Sequence, residues 1–479
     1  MDFSYCSPDW QEAENNRNRK NTGILLNILK VKHKALILKD KANQMKNLLL
    51  VLGVVFLVQG WSQQKHPAFM EQGNIYEVNI RQYTAEGTFK AFEAHLPRIK
   101  DMGIDILWLM PITTISQVNK KGSLGSYYAC SSYTKINPEF GTEKDFKDLV
   151  NAAQALGMKV IIDWVANHTG RQHEWMTQNP SWFTQDAAGN FTERNGWDDV
   201  VDLNYENKSM RAALIDAMLY WVMQFNLDGF RCDMAHLVPL DFWIEARTSL
   251  EQTKKLYWLA ECEELAYHQV FDTSYAWAWM HATEKVGKGQ DGLHEVFNTL
   301  HQYAQYPRGA SKLFFTSNHD ENSWNGTEYE KYGVAAKAWA VFTHTWNGQP
   351  LIYSGQELPN HKRLAFFDKD QIQWTQTEPA LHDFYKTLLT ARKQYPVLHT
   401  GSIFNLPTNG KIMAYLKQDQ TNTALILLNV SEERQQVQVA HEAFTGNFTN
   451  LFSGLSFDFK GSSHFELMPG EYIVYIKAN

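Results

Sequence analysis

The stretch Asp228-Gly-Phe-Arg-Cys-Asp233 is a short strand-like run that ends in a carboxylate. Three further runs end in polar or charged residues: Asp163-Trp-Val-Ala-Asn-His168, Trp258-Leu-Ala-Glu261 and Phe315-Thr-Ser-Asn-His-Asp320. In a barrel of parallel strands, the C-terminal ends of all strands open onto one face, where active sites lie. Burying that much charge without a function is costly. The four runs therefore predict a barrel rim that carries three carboxylates, those of Asp233, Glu261 and Asp320.

Working outward from these runs, short apolar segments alternate with amphipathic ones from residue 74 onward. The predicted strands are Ile75–Ile80, Ile104–Leu109, Lys159–Asp163, Gly229–Asp233, Tyr257–Glu261, Leu313–Ser317 and Pro350–Ser354, with a weaker one near Val270–Tyr275. The predicted helices include Thr88–Met102, Thr142–Leu156, Ser209–Phe225 and Tyr332–Trp346. Eight strands that alternate with helices predict an α/β fold, a closed (β/α)₈ TIM barrel rather than an open sheet.

Changes in this pattern divide the chain into regions. Residues 63–399 are predicted to form the barrel, with a small inserted domain at about 167–207, where a long Trp-, Asn- and Gly-rich interval follows strand three. Residues 400–479 are predicted to form an antiparallel β-sandwich, because the pattern changes to alternating strands separated by turn residues. Its predicted strands are Ile412–Leu416, Ala424–Asn429, Gln435–Val439 and Tyr472–Lys477.

The first 62 residues form an upstream segment followed by a candidate export signal. Met45-Lys-Asn precedes the apolar run Leu48–Val58, and small residues follow at Gly60 and Ser62, which is the layout of a cleaved signal peptide over Met45–Ser62. The apolar run is shorter than the ~20 residues that span a bilayer. We therefore expect Met45 to be the translation start and the protein to be secreted or periplasmic, with no stable membrane insertion after cleavage. An uncleaved N-terminal anchor is the alternative.

The composition argues against nucleic acid as a partner and against a framework of disulfide bonds. The formal net charge is −7 and no basic tract occurs beyond about the first forty residues, so nucleic acid is not expected as a partner. Outside the predicted leader, the cysteines are Cys130, Cys232 and Cys262. An odd number at wide spacing predicts no disulfide framework, and we expect these thiols to be buried packing residues.

Strand periodicity indicates how the carboxylates are used. Side chains alternate along a strand, so Arg231 and Asp233 should point to the same side, where the guanidinium is expected to lower the pKa of Asp233. Two carboxylates on adjacent strands suit retaining glycoside cleavage, with Asp233 and Glu261 about 5–5.5 Å apart. His168 and His319 can donate hydrogen bonds to sugar hydroxyls. A metal-dependent hydrolase is the alternative, but the HxH and HExxH patterns of such sites are absent from the sequence.

Taken together in this order, the four strand ends resemble the signatures of the α-amylase family, glycoside hydrolase family 13. Asp163-Trp-Val-Ala-Asn167-His168 is similar to the first signature and Gly229-Phe-Arg-Cys-Asp233 to the second. Glu261 with its preceding strand is similar to the third, and Asn318-His319-Asp320 to the fourth. The resemblance extends from about residue 74 to the C-terminus, and it includes Val201-Asp202-Leu203-Asn204, which resembles a short fifth signature.

The resemblance implies a role for each of these positions. Asp233 is expected to be the nucleophile, Glu261 the general acid/base, and Asp320 the residue that binds and distorts the sugar at the cleavage point. The residues expected to line the same subsite are Tyr128, as a stacking tyrosine, together with His168, Arg231 and His319. The insertion and the C-terminal region resemble the family's domains B and C. No cofactor is expected for the chemistry, but a structural calcium ion at Asn167 is possible by this resemblance, and the metal is otherwise unassigned.

Two departures from the family pattern leave the substrate open. Met234-Ala-His236 follows the nucleophile where many family members have Lys-His, and Cys262-Glu263 replaces the usual Val-Trp after the acid. The leading hypothesis is hydrolysis of α-1,4-glucosidic bonds in starch, glycogen or maltooligosaccharides. An α-1,6-glucosidase, a neopullulanase-like enzyme and a transglycosylase are alternatives within the same chemistry. A non-catalytic glycan-binding protein is the alternative from another class. The sequence does not indicate an oligomeric state.

Overall fold

The computed structural model describes residues 66–307, 309–374 and 380–478. The predicted signal peptide, Met45–Ser62, lies outside these residues. Within the described ranges, none of the helices combines the length and the apolar character needed to cross a bilayer.

Eight parallel strands close into a barrel, which confirms the predicted fold. They are β1 (Ile75–Val78), β2 (Ile106–Leu109), β3 (Lys159–Val165), β6 (Gly229–Asp233), β7 (Tyr257–Ala260), β8 (Thr273–Tyr275), β9 (Ser311–Phe314) and β10 (Gln349–Tyr353). Their order around the barrel is β1-β10-β9-β8-β7-β6-β3-β2. Nearly every position of these strands is buried, as expected for parallel strands covered by helices on the outside and packed within.

The α-helices surround the barrel or connect its parts. They are α1 (Ile80–Tyr83), α2 (Phe89–Glu93), α3 (Leu96–Met102), α4 (Glu143–Ala155), α5 (Glu174–Gln178), α6 (Lys208–Phe225), α7 (Leu240–Leu250), α8 (Trp277–Gly287), α9 (Leu293–Tyr303), α10 (Glu328–Tyr332), α11 (Ala336–Thr345), α12 (Ala380–Gln394) and α13 (Val397–Thr400). Short 3₁₀ turns cover Ala68–Met70, Pro180–Trp182, Ala235–Leu237, Leu265–Gln269 and Gly333–Ala335, and a π turn covers Glu321–Asn325.

Two of the predicted helices are interrupted. The pattern over Thr88–Met102 forms α2 and α3 rather than one helix, because Pro97 lies in the first turn of α3 and has no N–H for a continuous ladder. The pattern that begins at Tyr332 forms the end of α10, a 3₁₀ turn and then α11. Gly333 has a φ of 52°, which breaks the helical path at this point.

The interval between β3 and α6 has its own small framework. It contains β4 (His168–Gly170) and β5 (Val200–Asp202), which pair antiparallel, together with α5 and a 3₁₀ turn. In this ladder His168, which lies shortly after β3 at the barrel mouth, pairs with Asp202 near the end of the insertion.

The C-terminal strands form one antiparallel sheet of six strands. They are β11 (Ser402–Asn405), β12 (Ile412–Gln418), β13 (Asn422–Asn429), β14 (Gln435–Asn450), β15 (Ser456–Leu467) and β16 (Tyr472–Ala478), in the order β11-β12-β13-β16-β14-β15. One face of β12 and β13 belongs to the barrel core, and the other packs with residues of β14 and β15. The predicted sandwich is therefore a single hydrogen-bonded sheet with a core on each face.

Candidate active site

The two central carboxylates lie at the ends of adjacent strands and share one cation. Asp233 is the last residue of β6, and Glu261 directly follows β7. Both are buried, and Arg231 contacts both: its Nη1 lies 3.0 Å from Asp233 Oδ1 and its Nη2 lies 2.8 Å from Glu261 Oε2. The predicted side-by-side arrangement of Arg231 and Asp233 on β6 is therefore present.

Arg231 is the centre of a larger polar network. It is fully buried, and its Nη1 also donates to both oxygens of Asp163, at 2.8 and 3.0 Å. This contact follows from the register of the barrel, in which Asp163 of β3 pairs with Arg231 of β6. The Nε donates to the hydroxyl of Tyr275, at 3.1 Å. One guanidinium thus compensates three acids, and its position is fixed from three strands.

The electrostatics of Asp233 differ from the expectation drawn from Arg231 alone. The pKa of Asp233 is raised well above its usual value, first by burial and then by the neighbouring charge of Glu261, and Arg231 opposes this shift without overcoming it. The prediction of a lowered pKa was wrong, because burial and the charge of Glu261 together outweigh Arg231, which also pairs with Asp163.

The turn after Asp233 holds Glu261 in place through the backbone. Met234 has a φ of 39°, in the left-handed region that non-glycine residues seldom occupy, and its N–H donates to Glu261 Oε2 at 2.8 Å. The N–H of Ala235 donates to the carbonyl of Glu261, at 3.1 Å. Strained backbone of this kind persists where surrounding structure holds it, and it is frequent at functional sites. The sequence marked Met234 only as a departure from the family pattern.

Asp320 is attached to the site through His319. The Nδ1 of His319 pairs with Glu77 on β1, and its Nε2 lies 3.3 Å from Asp320 Oδ2 and 2.6 Å from the hydroxyl of Tyr128. That hydroxyl donates to Asp163 Oδ2, at 3.0 Å, and so joins this group to the Arg231 network.

The charges in this group favour a protonated histidine. Asp320 and Glu77 raise the pKa of His319 to about 9, even though burial alone would lower it. Burial raises the pKa of Asp320 and also that of Glu77. Glu77 was not predicted, although a carboxylate inside the buried strand Ile75–Val78 was a signal that could have identified it.

A cavity of about 330 Å³ opens at this end of the barrel. Five of the predicted residues line it: Tyr128, His168, Asp233, Glu261 and Asp320. Arg231 and His319 lie behind them and act through their contacts. Burial lowers the pKa of His168 to about 4, so its ring is neutral, and it meets Trp197 edge to face at 5.3 Å between ring centroids.

Other cavity residues come from loops without periodic sequence, so sequence patterns did not indicate them. They include Lys121, Trp197, Trp324, Phe366 and Phe367.

The cysteines near the carboxylates are packing residues. Cys130, Cys232 and Cys262 are buried free thiols. Burial raises the pKa of each, to about 12 for Cys130, so all three are protonated and unreactive at neutral pH. This confirms the expectation that the three thiols are buried packing residues.

Asn167, the position where the resemblance places calcium, lies near a carboxylate that already has a cationic partner. Its Nδ2 lies 3.5 Å from Asp202 Oδ1, and Arg194 donates to Asp202 Oδ2 at 2.9 Å. Among the residues that the structure describes, the buried Oδ1 of Asn167 has no hydrogen-bond partner, so it is the atom that a cation would contact. Calcium takes about six to eight oxygen ligands, whereas here the nearby carboxylate already pairs with a guanidinium. Among the described residues, the group of His, Cys or acidic side chains close enough to share a metal is the exposed set Asp291, His294 and Glu295, on another part of the barrel.

A closed (β/α)₈ barrel with paired carboxylates at its mouth is an arrangement that suits enzymes that cleave glycosidic bonds. A family model of the alpha-amylase catalytic domain matches residues 67–181 and 176–378. The chain therefore belongs to the alpha-amylase family, whose members are glycoside hydrolases and transferases.

Several known proteins are similar to it. The alpha-amylase MalA of Haloarcula japonica is 27% identical over 395 residues, which make up 77% of this chain but only 56% of that relative. The maltogenic alpha-amylase AmyB of Thermotoga neapolitana superposes with a TM-score of 0.80 at 30% identity. An alpha-amylase of Lactobacillus plantarum superposes with a TM-score of 0.77 at 32% identity. Each of these two alignments covers 85% of this chain and 99% of the other.

Proposed function

We propose that this protein hydrolyses α-1,4-glucosidic bonds of starch, glycogen or maltooligosaccharides with retention of configuration. The observation that carries the proposal is the contact of one buried arginine, Arg231, with both Asp233 and Glu261 at the ends of adjacent strands. This arrangement brings two carboxylates to one point of a cavity from different strands, as double displacement requires. The similarity to an alpha-amylase and to a maltogenic alpha-amylase at 30% identity or more supports the choice of α-glucans.

In the first step, the ionised carboxylate of Asp233 attacks the anomeric carbon while the carboxyl group of Glu261 gives its proton to the glycosidic oxygen. The bond between the anomeric carbon and that oxygen breaks, and the leaving sugar departs with the proton as its new hydroxyl hydrogen. This step needs an ionised Asp233 and a protonated Glu261 at the same moment. The hydrogen bond from Met234 N–H keeps Glu261 directed to the same cavity as Asp233.

In the second step, the ionised Glu261 takes a proton from water, and the resulting oxygen nucleophile attacks the anomeric carbon. The ester bond to Asp233 breaks, its carboxylate is regenerated, and the sugar is released with its original α-configuration. Arg231 lies behind both carboxylates and compensates the charge that returns to Asp233.

The group around His319 binds the sugar ring at the cleavage point. Asp320 is the member that faces the cavity, and its partly exposed carboxylate accepts hydrogen bonds from sugar hydroxyls. The protonated His319 holds Asp320 on one side and Glu77 on the other, so the position of Asp320 is fixed before substrate arrives. Preorganised polar groups of this kind stabilise a transition state without rearranging during the reaction.

The test of this function is the set of products that the purified protein releases from soluble starch, pullulan and maltoheptaose. We expect reducing sugar from starch and maltoheptaose, with the newly formed end in the α-configuration when it is followed by proton NMR within the first minutes. Cleavage of pullulan at its α-1,6 bonds alone would replace this proposal with an α-1,6-glucosidase. Products longer than the substrate would indicate glycosyl transfer, and binding without any cleavage would remove the enzyme assignment.

We propose that Arg194, rather than a calcium ion, neutralises Asp202 in the inserted segment. Chelation with EDTA is then expected to leave the Tm within about 1 °C, whereas Arg194→Met should lower it by a few degrees, because Asp202 is buried and loses its cation. Lys135→Met serves as the control, since that lysine forms an exposed ion pair with Glu174. A large loss of Tm in EDTA that calcium restores would contradict this assignment.

We also propose that the protein acts outside the cytoplasm. The predicted signal peptide supports this, and N-terminal sequencing of the exported protein is the check. A mature chain beginning near Gln63 is expected, and recovery of the whole chain in the cytoplasm would contradict it.

A further inference from the structure

The connections that follow the barrel strands differ in length around the rim. We call the side with long connections the high side and the side with short connections the low side. After β8 an α-helix begins within two residues, and after β6 a 3₁₀ turn begins at Ala235 and α7 at Leu240, so these loops add little to the rim. After β2, β3, β9 and β10 the connections are longer, and the barrel order places these four strands on one side together with β1. The rim is therefore built up along about half of its circumference.

Three of these connections are tied to one another across the cavity edge. We call residues 119–125, 193–199 and 366–368 the rim belt. Lys121 pairs with Asp198, and Asn119 Nδ2 donates to the Asp198 carbonyl at 3.2 Å, which joins the first two segments. Ser123 donates to Asp368 Oδ1 through its N–H at 2.7 Å and its hydroxyl at 2.5 Å, which joins the first and third. The belt is thus continuous over the high side.

The belt forms the wall of the catalytic cavity itself. Lys121, Trp197, Phe366 and Phe367 all line the same cavity as Asp233 and Glu261. The segment after β9 extends this wall, because the ring of Trp324 lies 5.2 Å from that of Phe366. Trp324 is 52% exposed, so a flat apolar face remains open toward the cavity for a sugar ring.

The chemistry of the proposed function orients the substrate against this wall. Glu261 follows β7, between the two strands with short loops, and it must lie beside the oxygen of the leaving group. Asp320 follows β9, on the high side, and it holds the sugar that becomes attached to Asp233. The leaving group therefore extends over the low side, and the sugar that is retained lies on the side of the belt.

We propose that the rim belt makes this site selective for the non-reducing end of an α-glucan, so that the enzyme releases short products from chain ends. The inference rests on the proposed function and adds where along the chain it acts. Lys121, Trp197 and Phe367 of the belt line the cavity, so a glucan chain that continued beyond the retained sugars on that side would meet the belt. A cavity of about 330 Å³ is at the small end for ligand sites, which suits a short terminal segment.

The test compares two 4-nitrophenyl maltoheptaosides that differ only at the non-reducing sugar, one free and one blocked by a 4,6-ethylidene group. We expect kcat/KM for the blocked substrate to be at least about 20-fold lower, since the added group collides with the belt. Equal cleavage of both, within about threefold, would overturn the inference while leaving the hydrolase proposal intact. Failure to cleave either one, or maltoheptaose itself, would overturn the proposed function and with it this inference.

A variant with a weakened belt provides the second part of this test. Lys121→Ala with Ser123→Ala removes two of the three side-chain ties, the Lys121–Asp198 pair and the Ser123 hydroxyl contact with Asp368. We expect this variant to cleave the blocked substrate at least about fivefold better, relative to the free one, than the wild type does. Lys135→Ala is the matched control, because it removes an exposed lysine from a neighbouring loop outside the cavity. An unchanged ratio in a double variant that retains the wild-type Tm would count against the belt as the cause.

Discussion

Replacing Asp233 by Asn is expected to reduce kcat/KM on maltoheptaose by at least about 10⁴-fold. The amide has the same shape but cannot form the glycosyl ester, so the double displacement loses its nucleophile. Arg231 keeps its contacts with Asp163 and Glu261, so the surrounding framework should remain folded. Reducing-sugar release by the variant and the wild type, at matched concentration and with circular dichroism of both, provides the measurement.

The same substitution is expected to stabilise the fold, and the effect should depend on pH. The pKa of Asp233 is raised in the folded protein by burial and by Glu261, so its ionised form destabilises the folded state. That cost is fully present above the raised pKa and disappears as the pH falls toward about 3.9, the value of an unfolded aspartate. We expect Asp233→Asn to raise the Tm by roughly 2 °C at pH 8, with the difference vanishing near pH 4.

Asp241→Asn provides the control for both effects. This aspartate lies on α7, is largely exposed and pairs with Arg211. It should keep full activity and show no gain in Tm at pH 8. A variant of Asp233 that retained more than about a tenth of wild-type activity would remove Asp233 as the nucleophile. A lower Tm at pH 8 would show that the Arg231 contact outweighs the combined effect of burial and Glu261.

The barrel and the main acids could be predicted because they produce local signals. Each acid follows a short apolar strand, and parallel strands deliver their C-terminal ends to one rim. The strand Gly229–Asp233 was predicted with its observed limits. The strand register explains the charge network around Arg231, because the pairing of Asp163 with Arg231 brings together charges that are far apart in sequence.

Contacts that depend on several loops could not be predicted. Trp324 and Phe366 form one wall of the cavity, but their proximity arises from the connections after β9 and β10, which have no periodic pattern. The sign of the Asp233 pKa shift was missed for a related reason. The sequence showed that Arg231 is close, but not how deeply Asp233 is buried, nor that Asp163 and Glu261 contact the same guanidinium.

Replacing Glu261 by Gln should produce a different failure, one that depends on the leaving group. On maltoheptaose, where the departing oxygen needs a proton, we expect kcat/KM to fall by about 10²–10⁴-fold. On α-maltosyl fluoride, whose leaving group departs without a proton, formation of the glycosyl ester should persist and its hydrolysis should become limiting. Added azide attacks without a general base, so we expect it to raise turnover at least about tenfold.

Two variants separate this role from a structural one. Glu263→Gln changes an acid two residues further on, whose carboxylate faces Lys312 and the N–H of Ala278 rather than the cavity, and it should keep activity on both substrates. Asp233→Asn should gain nothing from azide, because no glycosyl ester forms. Equal losses on both substrates for Glu261→Gln, with no rescue by azide, would contradict the acid/base role.

The fluoride substrate also reports the electrostatic coupling between the two acids. Asp233 must be ionised to attack, so its pKa sets the acidic limb of the pH profile for this substrate. The charge of Glu261 raises that pKa, and the neutral amide removes the repulsion. Glu261→Gln should therefore keep its activity on α-maltosyl fluoride to lower pH than the wild type. A limb that moved to higher pH would mean that Glu261 acts on Asp233 mainly by holding Arg231, because loss of that contact would weaken the one cation that favours the ionised nucleophile.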